Sequence, residues 1–103
     1  MNKTEMMVKE FIMIAQDAEK MHDEYCTISP DVRRKYDKQY AIFVQRMAVK
    51  IGRAAAILSL IDDFDVICGD DPVDNVEPET YETYMDCRTV IDQLLWIVHG
   101  IAL

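Results

Sequence analysis

Residues 30–68 read PDVRRKYDKQYAIFVQRMAVKIGRAAAILSLIDDFDVIC, with no proline after the first position and one glycine, Gly52. Serine accepts a hydrogen bond from an early helical amide and proline is favoured at the first helical position, so Ser29 and Pro30 mark a helix start. Gly69 is a natural left-handed terminator. One helix over this stretch would be roughly 57 Å long. That exceeds what a preceding helix can cover, which predicts a bend or break near Gly52 or a second copy of the chain over the excess.

Advancing about 100° per residue from Lys35, the residues Tyr36, Tyr40, Phe43, Met47, Ile51, Ala54, Leu58 and Ile61 fall within roughly 80° of one another and make one core stripe. Lys35, Lys38, Arg46, Lys50 and Arg53 form a basic stripe displaced by roughly 110°. Beyond Arg53 that direction carries Ile57, Leu60, Phe64 and Ile67. The face is expected to change from wet or ion-paired to buried along its length.

Two further helices flank this stretch. The first begins at Asn2 or Thr4, where Asn2 and Glu5 have capping-box-like spacing, and runs to about Tyr25. Met7, Phe11, Ile14, Ala18, Met21 and Tyr25 mark its core face, widened by Met6, Ile12, Met13 and Ala15. The last follows a turn-rich segment from Gly69 to Val76, with Asp74 or Asn75 as cap and Pro78 near the first turn. Tyr81, Tyr84, Met85, Ile91, Leu95, Val98 and Ala102 mark its core side. The connection between the first two helices is short, so they are antiparallel neighbours. The expected fold is all-α: one domain over residues 1–103, an antiparallel bundle of three long helices, or four if the middle one breaks near Gly52.

The 103-residue length fits a single domain, and an apolar half of the chain supplies a core. Cys26, Cys68 and Cys87 are odd in number and widely spaced, a pattern that fits a reducing compartment. Residues 1–10 alternate charged and apolar positions, unlike a secretory signal. The apolar run Leu94–Leu103 is about half the length of a membrane span. A cytoplasmic location without membrane insertion is expected.

Charge is segregated. Residues 1–25 carry −3, residues 31–53 carry +5 and residues 62–92 carry −10, within a net charge of −8. The acidic block starts with Asp62, Asp63 and Asp65, continues through Asp70, Asp71 and Asp74, and extends over Glu77, Glu79, Glu82 and Asp86 to Asp92. Acids near a helix start are favourable, and pairing with Arg46, Lys50 and Arg53 would neutralise them internally. Left open, they form a docking surface for a protein with a basic, nucleic-acid-binding groove, with fast and salt-sensitive association. Direct nucleic-acid binding by the basic stripe is disfavoured beside so much negative charge.

Glu19 and His22 have the Glu-x-x-His spacing of helical metal sites, but Trp96 stands three residues before His99, so the second such pair is missing. Asp62, Asp63 and Asp65, opposite Glu19, Asp23 and Glu24, form a loose likeness to the acidic clusters of Mg²⁺-dependent helical nucleotide pyrophosphohydrolases. No phosphate loop, nucleophile elbow or zinc cluster is present in the sequence. No catalytic residue, metal ligand or cofactor is assigned.

In size, charge and helical character the chain resembles the small inhibitors that phages make against bacterial defence systems, anti-CRISPR proteins among them, and toxin-neutralising immunity proteins. The resemblance implies a noncatalytic inhibitor and carries over no residue. Two alternatives are the Mg²⁺-dependent enzyme and a structural homodimer joined through Ile57, Leu60, Phe64 and Trp96.

Overall fold

A computed structural model describes the backbone of residues 3–68 and 76–102, and the side chains of residues 3–63 and 76–97. Among the described residues four helices follow in order: α1 (Lys3–Thr27), α2 (Pro30–Lys35), α3 (Asp37–Cys68) and α4 (Pro78–Ala102). Among the described residues there is no strand. The result is the expected bundle of three long helices, with one short helix between the first two.

The core is built where apolar side chains recur at three and four. Val8, Phe11, Ala15 and Ala18 of α1 meet Met47, Ile51, Ala54 and Ile61 of α3 and Tyr84, Ile91 and Leu94 of α4, all buried. Phe11 meets Tyr84 edge-on, with ring centroids 5.5 Å apart and planes at 71°. Helix α1 packs against both other long helices, and α3 meets α4 along a shorter seam. The antiparallel run of α1 and α3 is fixed by Tyr25 stacking on Phe43 at one end and Lys50 reaching Asp17 further along.

The break in the long segment lies at Tyr36, not near Gly52. Ser29 caps α2 as expected, its hydroxyl accepting from the Val32 amide at 3.3 Å. Tyr36 then leaves the helical region at φ −117° and ψ 41°. Its carbonyl accepts from the Tyr40 amide at 3.1 Å, so α3 starts afresh. The turn brings Arg33 over the Tyr25 ring, 4.8 Å from its centroid. Gly52 sits inside the continuous α3 on an exposed side, and beyond its own helical backbone and chain neighbours no atom lies within 4 Å of where a Cβ would stand. An exposed glycine costs a helix only about 1 kcal/mol, less than a break that frees several backbone hydrogen bonds.

Other expectations shift with the packing. Met6 and Met13, read as widening the apolar surface of α1, and Met85, read as core, are exposed, and Tyr36 is 45% exposed. Thr4 is no cap: it lies within α1, buried, and its hydroxyl has no partner among the described residues. Asn2, Asp74 and Asn75, the other candidate caps, lie outside the described residues. Helix α3 spans about 48 Å at its 32 residues. The molecule measures 51 × 24 × 19 Å, with a radius of gyration of 15.7 Å. A compact chain of this length would have about 13 Å. The bundle is therefore a rod, and a rod has more surface per core residue than a sphere.

Candidate functional site

The acidic side chains that the sequence singles out divide into three groups. Glu77, Glu79, Glu82 and Asp86 are exposed along the start of α4. The Glu77 carbonyl accepts from the Tyr81 amide at 2.9 Å, which anchors the first turn. Carboxylates here also oppose the positive end of the helix dipole. Asp62 and Asp63 are exposed near the end of α3. The side chains of Asp65, Asp70, Asp71 and Asp74 lie outside the described residues.

Asp62 already has a partner. Arg88 of α4 donates to its Oδ1 at 3.1 Å and to the Tyr84 hydroxyl at 2.8 Å, and stands over the Tyr84 ring. Burial works against the Arg88 charge, but the hydrogen bonds to Tyr84 and Asp62 prevail and raise its pKa above the ordinary guanidinium value. This bridge stitches α3 to α4. Between residues 62 and 92 Arg88 is the single basic residue.

Among the described residues, the cations of the middle segment pair with none of Asp62, Asp63, Glu77, Glu79, Glu82 and Asp86. Lys50 reaches Asp17 of α1 at 3.6 Å, and Arg34 pairs with Asp31 at 2.6 Å within α2. Among the described residues, Arg46 and Arg53 are in no ion pair with a carboxylate, and Glu77, Glu79, Glu82 and Asp86 are in none with a cation. Exposed pairs such as Lys50 with Asp17 contribute at most about 1 kcal/mol.

Among the described residues the expected change of environment along the basic face is met at Ile57 and not at Leu60, and the side chains of Phe64 and Ile67 lie outside them. Ile57 is half-buried against the core, yet Leu60 is 57% exposed. Ile42 and Val49, 52% and 62% exposed, lie on the same side of α3 as Leu60. Together with Met21 of α1 and the cations Arg46, Lys50 and Arg53, Ile42 and Val49 line a shallow depression. Trp96, 82% exposed, stands on the solvent side of α4. Leu60 and Trp96 thus occupy the outer faces of two different helices, and the Phe64 side chain lies outside the described residues.

Among the described residues the acids weighed for Mg²⁺ chemistry are not assembled. Glu19 and Asp23 line a depression with Gln16, Lys20, Glu24 and Thr27, all from α1, whereas Asp62 is held by Arg88. Among the described residues no group of three or more His, Cys, Asp or Glu side chains could hold a metal ion. His22 instead turns to Cys26, with Nε2 3.4 Å from Sγ, and its Nδ1 lies 4.0 Å from Asp23. That contact was not read from the sequence, although a spacing of four on a helix signals it.

Cys87 is buried in the core. Burial pushes its thiol pKa up, and the charges of Glu19 and Asp86 push it further. It is an inert packing group, since the thiolate is the reactive form. Among the described residues no helix is long and apolar enough to cross a membrane. The chain matches no protein-family model, no curated protein and no solved structure.

Proposed function

We propose that the chain is a noncatalytic protein-binding module of the cytoplasm that docks the acidic face of α4 on a basic protein surface, acting as an inhibitor of a nucleic-acid-binding partner. The observation that carries this reading is the state of Glu77, Glu79, Glu82 and Asp86. They are exposed and, among the described residues, unpaired with any cation of α3, although α3 has Arg46 and Arg53 to spare. A row of carboxylates on a rigid helix presents charge at fixed spacing, as a phosphate backbone does, and opposite charge speeds encounter while suppressing wrong partners.

The test is affinity capture from the native cell at low and high salt, run with the wild-type chain and with the Glu79→Lys, Glu82→Lys, Asp86→Lys triple variant. The wild type is expected to retain a basic protein at low salt and release it at high salt. The variant is expected to bind about tenfold more weakly or worse. Equal retention by both chains at low salt would overturn the reading.

A second reading, self-association, is favoured by the exposure of Leu60 and Trp96. These two residues occupy the solvent faces of separate helices, so the contact they support joins unlike surfaces.

A further inference from the structure

Two exposed stripes remain after the core is built. On α3 the residues Ile42, Arg46, Val49, Arg53, Ala56 and Leu60 alternate spacings of four and three, and every one is exposed. On α4 the residues Glu82, Met85, Thr89, Asp92 and Trp96 alternate three and four, and every one is exposed as well. Such spacing is the seam of a coiled coil, here turned to solvent on both helices.

The stripes complement each other in length, apolar spacing and charge. Each runs for about 20 to 27 Å at 1.5 Å per residue. Met85 and Trp96 are separated by the same number of residues as Val49 and Leu60. Laid side by side in parallel at a constant offset, α3 and α4 would oppose Val49 to Met85 and Leu60 to Trp96. The same offset opposes Arg46 to Glu82 and places Asp92 one layer from Arg53.

We propose that the outer stripe of α3 is a docking surface for α4 of a second copy of this chain. The proposal rests on the reading that the acids of α4 are open to an outside molecule, and it names the chain's own α3 as one basic surface that they fit. The two stripes belong to different helices, so each copy offers one stripe of each kind, and the contact closes as a two-fold pair or continues head-to-tail. The strip is narrow and covers a few hundred Å² per copy, so the contact is weak and sensitive to salt.

The experiment is sedimentation velocity over a range of concentrations, at low and high salt, on three full-length chains: wild type, the Arg46→Glu, Arg53→Glu variant, and the Glu82→Lys, Asp92→Lys variant. Circular dichroism checks that each is folded. The wild type is expected to gain average mass with concentration, and to lose that gain in high salt. Each variant alone is expected to associate at least about tenfold more weakly. An equimolar mixture of the two variants is expected to regain the wild-type behaviour, because glutamate on one copy then faces lysine on the other.

A wild type that remains monomeric at millimolar concentration overturns the proposal, as does a mixture that fails to recover. Capture of a foreign basic partner by the acidic face would survive any of these results, so the two readings fail separately.

Discussion

Replacing Phe11 by alanine tests the packing that holds α4, and its acidic face, against α1. Phe11 is fully buried and meets Tyr84 across the α1–α4 seam at 5.5 Å. Deleting a buried phenyl ring removes its transfer free energy and leaves a cavity, together about 3–5 kcal/mol. A chain of this kind has about 5–15 kcal/mol in total, so the variant sits near its unfolding threshold. Phe11→Leu keeps most of the volume and loses the ring contact, which contributes about 0.5–1.5 kcal/mol beyond area burial. A double-mutant cycle of Phe11→Leu with Tyr84→Leu isolates that contact, because the loss of the Arg88 bond to Tyr84 cancels in the cycle. The assay is urea unfolding followed by helical circular dichroism, with the midpoint shifting at constant slope. A cost below about 1 kcal/mol for Phe11→Ala, or additive single costs in the cycle, would refute the α1–α4 packing described above.

Gly52→Ala is expected to raise stability by about 0.5–1 kcal/mol, since the site is helical and nothing stands where the new methyl goes; a destabilised variant in urea unfolding would mean that the helix is interrupted there after all. Cys87 gives a pH signature. Its thiol pKa is raised in the folded chain, first by burial and then by Glu19 and Asp86, so the folded state holds the proton to higher pH than the unfolded state. Its contribution to stability is full below the unfolded thiol's pKa and is lost as pH climbs through the raised folded value. The stability gap between wild type and Cys87→Ala should therefore narrow from neutral pH to alkaline pH, and a constant or widening gap would contradict the assignment. In the same chain, exposed Cys26 is expected to be alkylated well before Cys87, as read by peptide mass mapping.

The parts of the fold legible in the sequence are those fixed by local chemistry. Ser29 and Pro30 announce a helix start, and the structure shows the hydroxyl bonded to the Val32 amide. The core stripe through Met47, Ile51, Ala54 and Ile61 follows from periodicity alone, and all four are buried. Periodicity fails where two stripes compete. Met85 and Tyr84 are adjacent and both apolar, and which one turns inward depends on the direction from which α1 approaches; Tyr84 meets Phe11 and Met85 is left outside. The break at Tyr36 is likewise a tertiary event. Nothing between Lys35 and Asp37 is a helix breaker, but with the helix interrupted at Tyr36, Arg33 of α2 sits over the Tyr25 ring of α1.

The candidate site shows the same division. Counting charges locates the acidic block, but it cannot say which acids are consumed internally. Asp62 is lost to Arg88, twenty-six residues away in sequence, whereas the acids opening α4 have no cation of α3 beside them among the described residues. A second apolar stripe on one helix is equally ambiguous in sequence, because a partner helix within the chain and a partner outside it require the same pattern. Only the positions of α1 and α4 decide between the two. Here α1 covers the side of α3 that carries Lys50, α4 covers the side that carries Asp62, and Ile42, Val49 and Leu60 are left facing water. Large aliphatic side chains at coiled-coil spacing on a solvent face cost free energy while uncovered, and the occupant we propose for them, the outer face of this chain's own last helix, carries the opposite charge.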